Sequence, residues 1–339
     1  MLGGSSLAAV GGLAAVGAER NAAAVSAGAG DADLTLARHE CTLYATDARG
    51  IGQPNEIMLR DLISGFRPKA RVKKIFAVTN QKGGVGKTTT AINLAASVAL
   101  ADRRVLIVDM DPQGNLTSGV GLKGSVPEGR TVYDALTAAG SPDVGRFIVP
   151  TAVTGLSLMP ADRNLAGAEV ELVGIANRET RLRPLLRQAH ARFDYIFIDT
   201  PPSLGLLTLN ALVAAEAVLI PLTCEYFALE GLADLTSTLR RVQAQLNPDL
   251  VIAGVLLTMA DLRTNLGQQV AGEVRDFFRE KVFETTIPRN VRLGEAPSYG
   301  LPAILYDVKS KGASAYSALA HEFLRRASRP PERGVAIDD

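Results

Sequence analysis

The chain has 339 residues, 47% hydrophobic and 21% charged, with a formal net charge of +1, so it can bury a large core and has no global attraction to nucleic acid. Its two cysteines, Cys41 and Cys224, stand far apart without C-x-x-C spacing, which argues against a disulfide framework or zinc site and fits a reducing cytoplasm. No apolar run approaches the ~20 residues that span a bilayer, and the lack of tryptophan argues against base stacking on single strands.

Residues 1 to about 35 are rich in Ala, Gly and Ser and carry too few large apolar side chains to offset ordering entropy, so disorder is expected. The apolar stretch 7–18 is broken by glycine and lacks a preceding basic residue, unlike an export signal. A short helix is expected over 56–63. Arg67, Lys69, Arg71, Lys73 and Lys74 then form a basic run, either a solvated linker or a DNA or partner contact. Residues 1–71 therefore read as an N-terminal extension, 72–328 as one domain and 329–339 as a flexible tail.

From residue 75 short Val/Ile-rich runs alternate with helical patterns, the signature of an α/β fold whose mainly parallel, twisted sheet carries helices on both faces. Strands are expected at 75–79, 105–109, 156–159, 195–199, 217–221 and 251–258, with a short edge strand near 282–286. Helices are expected over 87–101, 131–138, 164–174, 179–191, 204–214, 229–245, 266–278 and 312–326.

Three motifs carry chemistry. Between the first strand and first helix lies Lys82-Gly83-Gly84-Val85-Gly86-Lys87-Thr88-Thr89-Thr90. A strand, a glycine loop and a helix N-terminus converge backbone N–H groups and a helix dipole on phosphate, Lys87 adds a point charge, and Thr88 is placed to put its hydroxyl on Mg²⁺. The usual G-x-x-x-x-G-K-[ST] pattern would have glycine at 81; this chain has Gln81 and an additional lysine, Lys82, at the loop entrance. The second motif is a buried strand ending in Asp109-Met110-Asp111-Pro112-Gln113-Gly114-Asn115. Ligands of open parallel sheets bind beyond the carboxyl ends of the strands, and strand alternation turns Asp109 and Asp111 to one side. In the third, an apolar strand delivers Asp199 before Thr200-Pro201-Pro202, a Walker B arrangement whose carboxylate holds Mg²⁺ through water.

In this order the motifs resemble the deviant P-loop of the ParA/MinD class of ATPases, a P-loop NTPase fold. Residues 164–172, 257–259, 263–266, 288–293 and 295–300 are similar to the chromosomal, Soj branch of ParA partition ATPases, so that the likeness covers about residues 75 to 325. It implies an ATPase that forms a homodimer around ATP and Mg²⁺, binds double-stranded DNA without sequence preference, and hydrolyses ATP when a DNA-bound ParB-type partner stimulates it. It also implies a cytoplasmic, nucleoid-associated protein. By the same resemblance Gly83, Gly84, Val85, Gly86, Lys87, Thr88 and Thr89 hold the nucleotide, with Pro288, Arg289 and Asn290 along the adenine. Thr88, Asp109 and Asp199 serve the metal and Asp111 positions the attacking water. Lys82 reaches the phosphates of the partner protomer, and Arg263 and Arg292 contact DNA phosphates.

Other members of this fold fit less well. A MinD-like membrane cycle needs a basic amphipathic C-terminal helix, whereas the chain ends with Pro330-Pro331 and two aspartates. A nitrogenase-reductase-like electron carrier needs cluster cysteines that this sequence does not supply. A ParA-like ATPase positioning another cargo would carry the same motifs. His39, His190 and His321 have no metal-ligand spacing.

Overall fold

The computed structural model describes residues 75–225 and 228–327, with the pairs 45–46 and 52–53. The chain divides into two units, Met1–Asp61 and Leu62–Asp339. In the first, Ala45–Thr46 pairs antiparallel with Gly52–Gln53. The remaining expectations for the N-terminal extension, among them the helix at 56–63 and the basic run at 67–74, lie outside the described residues, as does the tail at 329–339.

The second unit is built on a seven-stranded sheet: β1 (Ile75–Val78), β2 (Val105–Asp109), β3 (Val149–Pro150), β4 (Leu156–Met159), β5 (Tyr195–Asp199), β6 (Ala217–Thr223) and β7 (Val251–Thr258). Their order is β3-β4-β2-β5-β1-β6-β7, and every pairing is parallel except β3 with β4. The central strands β1, β2, β5 and β6 are buried at every residue, which is why their sequences run apolar without alternation.

The helices among the described residues are, in chain order, α1 (Lys87–Leu100), α2 (Asn115–Gly119), α3 (Val132–Thr137), α4 (Leu165–Glu171), α5 (Leu182–Ala189), α6 (Leu206–Ala214), α7 (Ala228–Gln245), α8 (Asn265–Phe278), α9 (Val291–Glu295), α10 (Ala303–Tyr306) and α11 (Lys311–Ala327). Ile75, Ala77, Ile196 and Ile198 point to one face of the sheet, where residues of α3 to α8 cover them. Phe76, Val78, Tyr195 and Phe197 point to the other, under α1 and α11. There the Phe323 ring of α11 lies 4.9 Å from Phe76, 5.3 Å from Tyr195 and 5.4 Å from Phe197. Each ring so buried contributes about 1.5–3 kcal/mol.

α1 is nearly wholly buried, and the small side chains of Ala91, Ala95, Ala96 and Ala99 let it lie close on the sheet. Thr131 opens α3 with a capping box, exchanging bonds with Asp134. The expected helix at 179–191 is shorter, starting as a 3-10 turn at Arg178–Thr180 before α5. Pro184 sits in the first turn of α5, where its missing N–H is tolerated but cannot bond back to a preceding turn.

The expected edge strand near 282–286 does not form. Its backbone meets β7 through the isolated bridge of Val255 with Val282, and a second bridge, Ala260 with Pro288, follows just beyond both segments. The N–H groups of Glu284 and Thr285 instead donate to the Glu322 carboxylate on α11, each at 2.9 Å, and Pro288 has no N–H to give.

The topology sets the site. From β1 the chain crosses through α1 on one face to β2, and from β5 it crosses through α6 on the other face to β6. The connections diverge between β1 and β5, and the crevice at their carboxyl ends is where such sheets bind ligands.

Candidate functional site

The glycine loop leaves β1 and is held from three directions. The Asn80 amide donates to Pro221 O at 2.8 Å while its carbonyl accepts the Lys82 N–H at 3.0 Å. Thr258, the last residue of β7, donates its hydroxyl to Val85 O at 2.8 Å. Gly84 and Gly86 take φ of 74° and 86°, left-handed values that a side chain would strain. Gly86 is also the N-cap of α1 and makes no side-chain cap bond, so the first N–H groups of this helix remain available to an anion. Lys87 is buried and donates to Lys82 O at 3.2 Å. Burial pushes its ammonium below the usual value, opposed by the nearby charges of Asp199 and Asp111.

Asp109 and Asp199 stand in register on neighbouring parallel strands. Both are fully buried. Asp109 is committed to its own loop: Thr117 donates its N–H at 2.9 Å and its hydroxyl at 2.7 Å to Oδ2, and the Asp111 N–H donates to Oδ1 at 3.2 Å. Burial still raises its pKa to about 6. The Asp199 carboxylate differs. Neither of its oxygens has a hydrogen-bond partner among the described residues. Burial, reinforced by the charge of Asp109, holds its pKa well above the usual carboxylate range; the Thr88 hydroxyl is near enough to oppose this, though outside hydrogen-bond geometry. Asp111 completes the group, one oxygen accepting the Gln113 N–H at 2.9 Å. The second and third motifs thus converge on Lys87 and Thr88.

Lys82 lies at the entrance and forms a 2.7 Å ion pair with Glu225, which follows β6; both side chains are partly exposed. This bond, with the more distant Arg289, holds the Glu225 carboxyl below its usual range. The segment before Arg289 is linked to the loop through the backbone: Thr258 touches the loop, and two residues later Ala260 bridges to Pro288. Asn290 caps α9 by accepting the Arg292 N–H.

Arg263 and Arg292 lie outside this cluster, each already paired. Arg263 grips Asp261 with two bonds, at 2.8 and 2.7 Å, its side chain 90% exposed, and these bonds push the Asp261 carboxyl down to about 2. Arg292 meets Glu295 at 2.7 Å and Asp307 at 3.3 Å. A phosphate would have to compete with these carboxylates.

Sequence reasoning misses Asn80, Thr117, Glu225 and Thr258. Asn80 and Thr258 stand at strand ends beside the loop, a legible signal; Glu225 gives none, because its partner is 143 residues away. Among the described residues no helix is long and apolar enough to cross a membrane.

Comparison with known proteins identifies the family. A family profile described as an AAA domain matches residues 73–252. The chain is 56% identical to the chromosome partitioning protein ParA of Myxococcus xanthus over 273 residues, 80% of this chain and 95% of that one. It is 57% identical to the sporulation initiation inhibitor protein Soj of Bacillus subtilis, over 74% of this chain and 97% of Soj. Among solved structures, cobyrinic acid a,c-diamide synthase from Mycobacterium smegmatis, with an ATP analogue and magnesium bound, matches with TM-score 0.64 and 39% identity, over 76% of this chain and 98% of that chain. With its P-loop fold, its converging aspartates and these relatives, the chain belongs to the ParA/Soj family of chromosome-partitioning ATPases.

Proposed function

We propose that the domain at 72–328 binds ATP with Mg²⁺, dimerises around it, coats double-stranded DNA without sequence preference, and is released when a DNA-bound ParB-type partner triggers hydrolysis. The observation that carries the reading is the buried Asp199 carboxylate, without a hydrogen-bond partner beside Thr88 and Lys87. Two buried oxygens with unused lone pairs next to a hydroxyl suit a hard cation. Thr88 and Asp199 would hold such a cation, and it would supply positive charge against the phosphates.

The residues then divide the work. The N–H groups of Gly83, Gly84, Val85, Gly86, Lys87, Thr88 and Thr89 cradle the phosphates, and Lys87 supplies positive charge that Asp199 and Asp111 keep in place. Thr88 and Asp199 hold the cation, while Asp109 supports them from behind by shaping the loop through Thr117. Asp111 orients the attacking water with the oxygen not bound to Gln113. Pro288, Arg289 and Asn290 line the base.

Lys82 is the switch between protomers. In the single chain its ammonium rests on Glu225, a partly exposed pair worth about 1 kcal/mol at most, which the stronger charge of a partner's triphosphate displaces. Lys82→Ala is expected to bind ATP normally and lose partner-stimulated hydrolysis by about 10³-fold, as for other trans-acting cations. Full stimulated turnover in that variant would remove the cross-dimer role.

The cycle places the protein on the nucleoid in the cytoplasm. The test is DNA binding by purified protein with ATP, with ADP and without nucleotide, at two salt concentrations. Binding that requires ATP, and weakens by about 0.9 log units per decade of salt for each phosphate contact, supports the switch. Charge reversal of Arg263 and Arg292 to glutamate should abolish it while leaving dimerisation intact. ATP-dependent dimerisation with no DNA affinity would instead assign the chain to another cargo.

A further inference from the structure

The C-terminal helix α11 touches both α1, which follows the glycine loop, and the segment that leads to 288–290. Toward the phosphate side, the buried Tyr316 hydroxyl pairs with the Thr90 hydroxyl on α1 at 3.0 Å. Toward the other side, Glu322 is 3% exposed and accepts the N–H groups of Glu284 and Thr285 with its two oxygens. One turn later Arg326 bonds Glu322 at 2.7 Å and donates to Glu280 O at 2.9 Å and Val282 O at 2.7 Å. Its guanidinium also lies 4.5 Å from the centre of the Phe283 ring.

The clamped segment, 280–285, leads within three residues to Pro288. On its other side it is fastened to β7: Phe283 N donates to Val255 O, and Ile287 N donates to Leu257 O, both at 2.9 Å. The chain leaves β7 through Met259, whose φ of 48° is left-handed, between Thr258 on the glycine loop and Ala260 on Pro288. A β-branched-rich edge strand would have paired along its length. This one surrenders two of its N–H groups to a carboxylate on a helix, a costly arrangement for a buried charge unless Arg326 also compensates it.

We infer that Glu322 and Arg326 are positioning residues for the nucleotide base: they fix the 280–288 segment beside β7, and so the place of Pro288, Arg289 and Asn290, while the same helix is keyed to the phosphate-binding helix through Tyr316. Neither residue touches nucleotide. The inference rests on the proposed base-side role of 288–290. Replacing Glu322 loosens the base side of the site and leaves the phosphate side in register, because the Tyr316–Thr90 contact is made by a different turn of α11 and does not involve Glu322. The consequence is selective: lost affinity and lost discrimination for the base, with the phosphate affinity kept.

The experiment is isothermal titration of the full chain, Glu322→Gln and Arg326→Met with MgATP, MgGTP and magnesium tripolyphosphate, alongside Arg289→Ala as a direct base-side variant. In Glu322→Gln the volume is kept but an amide turns toward an N–H donor; in Arg326→Met the stem stays over Phe283 and the donors are removed. ATP affinity is expected to fall about five- to tenfold in Glu322→Gln, the transmitted part of one charge-assisted bond, with the ATP-to-GTP preference narrowing and tripolyphosphate affinity within about twofold. In steady-state turnover KM rises and kcat holds. Equal losses for ATP and tripolyphosphate would mean a general structural role and overturn the inference. So would unchanged ATP affinity in both α11 variants while Arg289→Ala alters base preference. If Arg289→Ala changes neither affinity nor preference, the base-side reading itself falls, and this inference with it.

Discussion

Asp199→Asn should stabilise the nucleotide-free protein and destroy its chemistry. The wild-type carboxylate is fully buried, without a hydrogen-bond partner among the described residues, on a strand facing the equally buried Asp109. Replacing it by a neutral amide of the same size relieves like-charge repulsion and removes the cost of burying a charge. Lys87 keeps Asp111 and the Lys82 carbonyl as partners. The amide still leaves a polar group to satisfy, so the gain is on the order of 1 kcal/mol, a rise of about 2–4 °C in melting temperature for a domain of this size. Hydrolysis should fall at least about 10²-fold, the usual cost of removing one preorganised electrostatic contributor. The added stability that MgATP confers on the wild type should also disappear. Calorimetry with and without MgATP, beside phosphate release, checks both halves. A lower melting temperature for the nucleotide-free variant would mean that the Asp199 charge is compensated in the fold, and would remove the observation on which the metal site rests.

Asp111→Ala separates binding from chemistry. Asp111 is less buried than Asp109 or Asp199, and one of its oxygens accepts the Gln113 N–H. Losing a water-orienting group costs about 10²–10⁴ in turnover, whereas the loop that holds phosphate is built from Asn80, Thr258 and Lys87 and should survive. The variant should therefore bind ATP with near-normal affinity, release phosphate at least about 10²-fold more slowly, and stay on DNA as the ATP form when the ParB-type partner is added. Single-turnover phosphate release and DNA dissociation rates measure this. Rapid turnover would transfer the role to another residue, and weak ATP binding would make Asp111 part of the loop's scaffold.

Much of this architecture is legible in the order of residues, for physical reasons specific to each part. β2, β4, β5 and β7 begin and end where the sequence expects them, because strands buried on both faces are apolar nearly throughout and admit polar residues such as Asp109, Asp199 and Thr258 chiefly at their carboxyl ends. The loop and its two aspartate motifs are equally legible: phosphate binding fixes which residue types follow a strand, and local chain geometry carries them. β3 escapes such reading because two residues, one of them proline, make no pattern. The short helices α2, α9 and α10 escape it for a similar reason, since four or five residues barely complete a turn.

Fold class, family and the constellation of Lys82, Lys87, Thr88, Asp109, Asp111 and Asp199 are written in the residue order, since each depends on neighbours within a few positions along the chain. How those groups are spent is settled by the folded arrangement alone. Asp109 is consumed by Thr117, Asp199 is left unbonded, Lys82 rests on Glu225, Arg263 and Arg292 are already paired, and residues 284 and 285 answer to Glu322 instead of to a strand. Hydrogen bonds and ion pairs act over about 3 Å whatever the separation along the chain, so partners 143 or 38 residues apart leave no local trace. Periodicity reports which side of an element is buried, and burial does not name the partner.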